Sequence, residues 1–448
     1  MSLPDHILTA RWVIPVEPHN TVLVDHAVVI QEGRIVDLLP TSDAIARYQG
    51  VPTESFQDHA LIPGLINAHT HASMSLLRGI ADDLPLMTWL GQHIWPLEQR
   101  FVGEMFVRDG TDLAIAEMIR GGVTTFNDMY FFPDITAQRV VRSGLRATLG
   151  MILVDFPTAW ASGPDEYFEK GLSLRDEYLH DPWVQFAFAP HAPYSVSDGP
   201  LKRVATLAAE LDLPIHMHVH ETLDEITQSI ETFGARPLKR LQQLDLLGPQ
   251  FMAVHMTQLI EKEIELIAES GATIVHCPES NLKLASGFCP IAQLAAHGIN
   301  IAIGTDGAAS NNDLDMLGEM RTAALLAKGV AGDASAVPAA SALRMATLAG
   351  AKALGRDADL GSLEVGKWAD IAAIKLDDIE TQPLFNPLSD LIYAAGRHQV
   401  SDVWVGGKRL LKDRELTTLD LQELKSRVAH WRHQLQTPVT PDDREIAH

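Results

Sequence analysis

The sequence predicts an α/β protein: a (β/α)8 TIM barrel with a small β-sandwich domain built from both chain ends. Three observations predict it. From Leu61 onward, short apolar runs alternate with longer amphipathic stretches, eight times in about 300 residues. Strand-rich sequence with tight-turn glycines stands on either side of that alternation. The apolar runs also end repeatedly in histidine or a carboxylate, and chemistry in such a barrel sits at the C-terminal strand ends.

Residues 1–60 are read as the N-terminal part of the sandwich. Their strands are "HILTARWVIPV", "AVVIQEGRIVDLLP" and "HALIPGL", and "QEGR" holds the glycine of a tight hairpin. Residues 61–357 are read as the barrel. Its strands are "LIPGLINAHTH", "GVTTFNDMY", "LRATLGMILV", "VQFAFAPHAPYS", "LPIHMHVHE", "FMAVHMTQ", "ATIVHCPES" and "NIAIGTDG". Helix-like segments such as "FVRDGTDLAIAEMIRG" and "IEKEIELIAESG" separate them, several ending in the glycine that stops a helix. Residues 358–415 return to strands, "GSLEVGKWADIAAIKL" and "VSDVWVGGKRLLKD", placed to pair with the N-terminal ones. Residues 416–448 are read as a C-terminal helix, "LQELKSRVAHWRHQLQ", and a tail.

Composition narrows the function. The chain has 448 residues, 46% hydrophobic and 21% charged, an ordinary globular balance. Its formal net charge of −23 argues against binding nucleic acid or an anionic membrane. Two cysteines, Cys277 and Cys289, are too few for a disulfide framework and point to a reducing compartment. The N-terminus shows no basic segment followed by an apolar core, and no apolar run is long enough to span a bilayer. The expectation is a cytoplasmic protein with a small-molecule partner.

The strand ends then specify chemistry. The first run ends in His69 and His71; the fourth carries His191; the fifth carries His218 and Glu221. The sixth carries His255, the seventh His276, and the eighth ends in Asp306. A lone histidine is usually a hydrogen-bonded, half-buried imidazole, but unrelated packing needs do not line up so many. His69 and His71 are i and i+2, so both point into the barrel mouth. With His218 and Asp306 they make an N/O site suited to Zn2+, and also to Fe2+, Mn2+ or Ni2+. Strand five remains ambiguous by spacing, because His216, His218 and His220 share one face. Depth favours His218, with His216 deeper and His220 toward the strand end.

These residues resemble the amidohydrolase superfamily. "PGLINAHTH", "HVHE", "VHMTQL" and "GTDGAASNNDLDML" look like its motifs on strands one, five, six and eight. "LLRGIADDLPLMTWLGQHIWPLE" and "HCPESNLKLASG" look like its subgroup of S-adenosylhomocysteine/5-methylthioadenosine deaminases and related chlorohydrolases. The resemblance implies metal ligands His69, His71, His218 and Asp306. It assigns Glu221 and His255 to catalysis, with Asp306 also taking the proton of a bound water. It assigns Glu98 to the ribose hydroxyls and His191 to substrate, and gives His276 no role. Binuclear members carry a lysine at the end of strand four; "FAFAPHAPYS" has none, so one divalent metal per chain is expected, zinc first, iron or manganese next.

The implied reaction is hydrolytic deamination at purine C6, with Glu221 protonating N1. Related hydrolases of the same site type, a guanine or pterin deaminase or a triazine chlorohydrolase, are the alternative. Barrels of this kind commonly pair, so a homo-oligomer is expected. One departure bears on the substrate. Where some members have arginines for the amino-acid tail of S-adenosylhomocysteine, this chain reads "RATLGMILVDFPTAWASGPDEYF". Met151, Phe156 and Trp160 are apolar and suit a methylthio group, and Met151 and Trp160 are expected to touch it.

Overall fold

The computed structural model describes residues 3–436; the expected tail, 437–448, lies outside them. Two eight-stranded sheets organise the chain. The first is all parallel and runs in sequence order through Leu65–Thr70, Val123–Asp128, Arg146–Leu153, Val184–Pro190, Ile215–Val219, Phe251–His255, Thr273–His276 and Ile301–Ile303. Helices such as Glu104–Arg120, Pro133–Ser143, Pro164–Glu177 and Met316–Ala331 cover its outside. Strands buried on both faces read as unbroken apolar runs, and every residue of Arg146–Leu153 is buried.

Polar groups tie strand eight to strand one. The Asp306 N–H donates to the His69 carbonyl at 3.0 Å. The Asn67 side chain donates to Thr305 Oγ1 at 2.8 Å and accepts from the Thr305 N–H at 3.0 Å. Closure therefore falls beside His69 and Asp306.

The second sheet is mixed and uses both chain ends. Its order is Glu415–Leu416, Lys408–Lys412, Val400–Val405, Ile371–Lys375, Thr53–Pro63, His6–Val13, Leu23–Gln31 and Arg34–Pro40. It curls around Leu8, Ile30, Phe56, Ile371 and Trp404, giving the expected sandwich. The curl brings the turns at Gly33 and Gly406 together. A Cβ on Gly33 would lie 2.5 Å from the Gly406 carbonyl oxygen, so the backbone itself requires glycine there.

Two features differ from the sequence reading. The run "LIPGLINAHTH" is not one strand: Thr53–Pro63 belongs to the mixed sheet, and the barrel begins at Leu65. The break is Gly64, pressed so close to Thr124 that a Cβ would sit 2.1 Å from its Oγ1. Strand eight is also short and stops at Ile303, so Asp306 lies beyond it.

The C-terminal helix, Leu421–Gln436, lies against Glu104–Arg120. Arg427 pairs with Asp109 and Asp112, and the Trp431 Nε1–H donates to Asp109 at 2.9 Å. Among the described residues no helix is long and apolar enough to cross a membrane.

Candidate active site

His69, His71, His218 and Asp306 converge at the C-terminal end of the barrel, with one donor atom from each within 4.8 Å of the others. The spacing is tighter than that bound where it matters. Asp306 Oδ1 is 3.3 Å from His69 Nε2 and 3.2 Å from His71 Nε2, and the Nε2 atoms of His69 and His218 are 3.2 Å apart. Tetrahedral coordination at about 2.0–2.1 Å from each donor separates neighbouring donors by about 3.3 Å, so these residues fit a divalent cation.

The opposite ring nitrogens confirm the fit. His69 Nδ1 meets His216 Nε2 at 2.9 Å, His71 Nδ1 meets the Met129 carbonyl at 2.6 Å, and His218 Nδ1 meets the His191 carbonyl at 2.8 Å. Each Nδ1–H has an acceptor, which leaves each Nε2 lone pair free and aimed inward. Burial pushes His69 down to about 4 and holds His218 well below the usual imidazole range, so both rings are neutral, as ligands must be; against the same burial, the Asp306 carboxylate raises His71 to about 9, a proton that a cation would displace. Burial alone would raise Asp306, yet His69 and His71 hold its carboxyl well below the usual carboxylate range.

Further groups hold Asp306, His255 and Glu221 in place. Ser280 Oγ donates to Asp306 Oδ2 at 2.7 Å, so Oδ1 faces the imidazoles while Oδ2 is held from behind. His255 Nδ1 meets Asn281 Oδ1 at 2.9 Å, and its Nε2 lies 3.8 Å from Glu221 Oε2. Burial pushes the Glu221 carboxyl up, the direction a proton donor needs. Glu225 accepts from the backbone N–H groups of His220 at 2.9 Å and Glu221 at 2.7 Å, which fixes the turn carrying Glu221. His255 and Asp306 both have left-handed backbones, with φ of 75° and 63°. Such strain on non-glycine residues is commonly found where function holds it.

His71, His218 and Asp306 lie in the floor of a cavity of about 990 Å3, with His69 fully buried beside them. Its walls include Trp89, Leu90, Trp95, Glu98, Tyr194 and Phe156, and among the described residues its lining has no lysine or arginine. Glu98 reaches it from the helix Trp95–Phe101. Burial pushes its carboxyl up to about 7, against the opposing effect of a hydrogen bond from Tyr130. His191 lines the cavity too, with Nδ1 at 2.9 Å from Ser195 Oγ, and burial keeps it neutral by lowering it to about 3.

Two expected substrate contacts are corrected. Met151 lies on the far face of strand three, where a Cβ on Gly171 would touch its Cβ at 3.0 Å. Strand alternation turns Ile152 and Val154 inward instead, and those two line the cavity. Trp160 packs on Phe132, with ring centroids 5.2 Å apart, and stands outside the lining. Phe156 does reach the cavity.

The strand-five ambiguity resolves by geometry. His218 joins the cluster. His220, with φ of 55°, turns away to Gln258 and Leu238. His216 supports His69 from below, a role the sequence reading did not give it. His276 is buried outside the cluster. Ser280, Asn281, Glu225 and Tyr130 also support the site, and spacing along the chain does not point to them. For the first two, the "HCPESN" segment was the available signal.

Comparisons with known proteins agree with this geometry. The model of the amidohydrolase family matches residues 60–410. A 5-methylthioadenosine/S-adenosylhomocysteine deaminase of Teredinibacter turnerae is 52% identical over 431 residues, covering 96% of this chain and 98% of that protein. A crystal structure of an adenosine deaminase from Xanthomonas campestris with bound zinc superimposes with a TM-score of 0.96 at 55% identity, covering 98% of this chain and 100% of that one. An atrazine chlorohydrolase variant from Arthrobacter aurescens, complexed with zinc and atraton, gives a TM-score of 0.88 at 25% identity, covering 95% and 99%.

Proposed function

The chain belongs to the amidohydrolase family, and from that premise we propose that it deaminates 6-aminopurine ribonucleosides by hydrolysis. The preferred substrate is 5′-methylthioadenosine, with adenosine also accepted and S-adenosylhomocysteine a poor third. The products are the inosine analogue and ammonia. The observation that carries this reading is one cavity holding a four-donor cation cluster, a buried non-ligand glutamate and, on another wall, Glu98.

His69, His71, His218 and Asp306 are assigned as ligands of one divalent cation, Zn2+ first, with Fe2+ or Mn2+ chemically admissible. Strand four supports a single ion, since it ends at Pro190 followed by His191 rather than in a lysine. Such an ion lowers the pKa of water from about 15.7 toward 7 and makes a nucleophile available at neutral pH.

The protein's own groups do the rest. Asp306 takes the proton of the attacking water through its carboxylate, held by Ser280. His255 hydrogen-bonds the same water, with Asn281 fixing its ring. Glu221 delivers a proton to purine N1 as the C6–O bond forms, which lets the ring accept the electron pair. C6 becomes tetrahedral, bearing OH and NH2. Asp306 then returns its proton to the amine, the C–N bond breaks as ammonia leaves, and the C6 hydroxyl gives its proton to Glu221, leaving the C6 carbonyl. Glu98 accepts the ribose 2′- and 3′-hydroxyls, and His191 contacts the base.

In this reading the catalytic barrel runs from 65 to 357, starting a few residues after the expected 61, with 3–63 and 358–416 forming the sandwich and the C-terminal helix following at Leu421–Gln436. The setting is the cytoplasm, consistent with two buried, unpaired cysteines, and the assembly is a homo-oligomer. An ultraviolet deamination assay over adenosine, methylthioadenosine, S-adenosylhomocysteine, guanine and a chlorinated triazine tests it. Turnover confined to the free base or the triazine refutes it.

A further inference from the structure

Building on the ribose role of Glu98, we infer that Tyr130 is a positioning residue that aims the Glu98 carboxylate at the sugar hydroxyls. Glu98 belongs to the excursion between strand one and the first outer helix, and its side chain is flexible by nature. Tyr130 is not. It follows directly on strand two, Val123–Asp128, is 5% exposed, and packs with Met74, Leu77 and Trp89. Its hydroxyl donates to Glu98 Oε1 at 2.7 Å.

That bond uses one lone pair of one oxygen. Oε2 and the remaining lone pair of Oε1 are left to accept two hydroxyl donors. The turn that carries Tyr130 has a second duty, because the carbonyl of Met129, its neighbour, holds His71 Nδ1 at 2.6 Å. One rigid turn thus fixes both a member of the cation cluster and the acid on the far wall. It sets the span between the point of attack and the ribose. A nucleoside must match that span for C6 to arrive in line with the attacking water.

The test is steady-state kinetics of Tyr130→Phe, which keeps the ring and its packing. With adenosine or methylthioadenosine, KM should rise about tenfold while kcat falls much less. With 2′,3′-dideoxyadenosine, which offers Glu98 nothing, wild type and variant should have the same KM. In a Glu98→Ala background, adding Tyr130→Phe should change KM no further, because the two act as one unit. Equal KM shifts for the hydroxylated and dideoxy substrates, no shift for either, or additive effects of the two substitutions overturn the inference. Failure of wild type to deaminate any of these nucleosides defeats the ribose reading itself, and is distinguishable because it appears before any variant is made.

Discussion

Replacing the methylthio group of the substrate by the homocysteine tail should cost the enzyme at least about tenfold in kcat/KM. Volume is not the obstacle, since a cavity of about 990 Å3 admits either substituent. Charge is. The tail carries an ammonium and a carboxylate. The carboxylic acids in the lining are Glu98, Asp155, Glu221 and Asp306, and among the described residues no lysine or arginine faces them. Asp155 is exposed at the rim and can meet the ammonium. Among the described residues of the lining, the carboxylate finds no lysine or arginine to pair with.

An arginine holding that carboxylate would contribute charge-assisted hydrogen bonds of about 1.5–3 kcal/mol. At 1.4 kcal/mol per tenfold, their absence corresponds to roughly a 10- to 150-fold loss. Arg146 cannot substitute: it sits at the opposite end of strand three, bonded to Asp370 at 2.9 Å. The assay is ultraviolet deamination with both substrates under identical conditions. Equal or better turnover of S-adenosylhomocysteine refutes the reasoning and requires a cation from outside the described chain.

Other outcomes follow from the same geometry. Glu221→Gln should keep its cation but lose roughly 10²-fold or more in kcat, since the amide can hydrogen-bond N1 without protonating it; an unchanged kcat removes Glu221 from the reaction. His216→Leu should raise the dissociation constant of the cation about 10- to 100-fold, because His69 loses the acceptor at 2.9 Å that orients it; calorimetric zinc titration reads this directly, and unaltered affinity contradicts it. Glu98, raised by burial to about 7, must be ionised to accept two hydroxyls. Its ionised fraction falls about tenfold from pH 8 to 6, so KM for methylthioadenosine should rise about tenfold on acidification while that for 2′,3′-dideoxyadenosine stays nearly level. Parallel profiles for the two would show that Glu98 does not govern binding.

What was legible in the sequence had a local pattern. His69 and His71 could be read because strand alternation puts i and i+2 on one face. The barrel could be read because eight buried parallel strands leave eight apolar runs. His218 needed the resemblance, since alternation treats His216, His218 and His220 alike; the left-handed backbone at His220 that breaks the equivalence has no signature in a histidine codon. The match to arginine-bearing relatives points to Met151, but the parity of its own strand turns that side chain outward and puts Ile152 and Val154 inward. The supporting groups could not be read at all. Ser280 meets Asp306 from 26 residues away, and Tyr130 meets Glu98 across 32, through contacts that only the folded chain creates.

The central claim is that one cation, held by four side chains, sustains deamination at C6. Stepwise zinc titration of protein stripped by a chelator tests it most directly, with bound zinc and ammonia release from methylthioadenosine followed in the same samples. The account predicts activity rising in proportion to bound zinc and levelling off at one ion per chain, with His69→Ala and His218→Ala showing neither binding nor turnover. A plateau only at two ions per chain, or full ammonia release from the stripped protein, would contradict it.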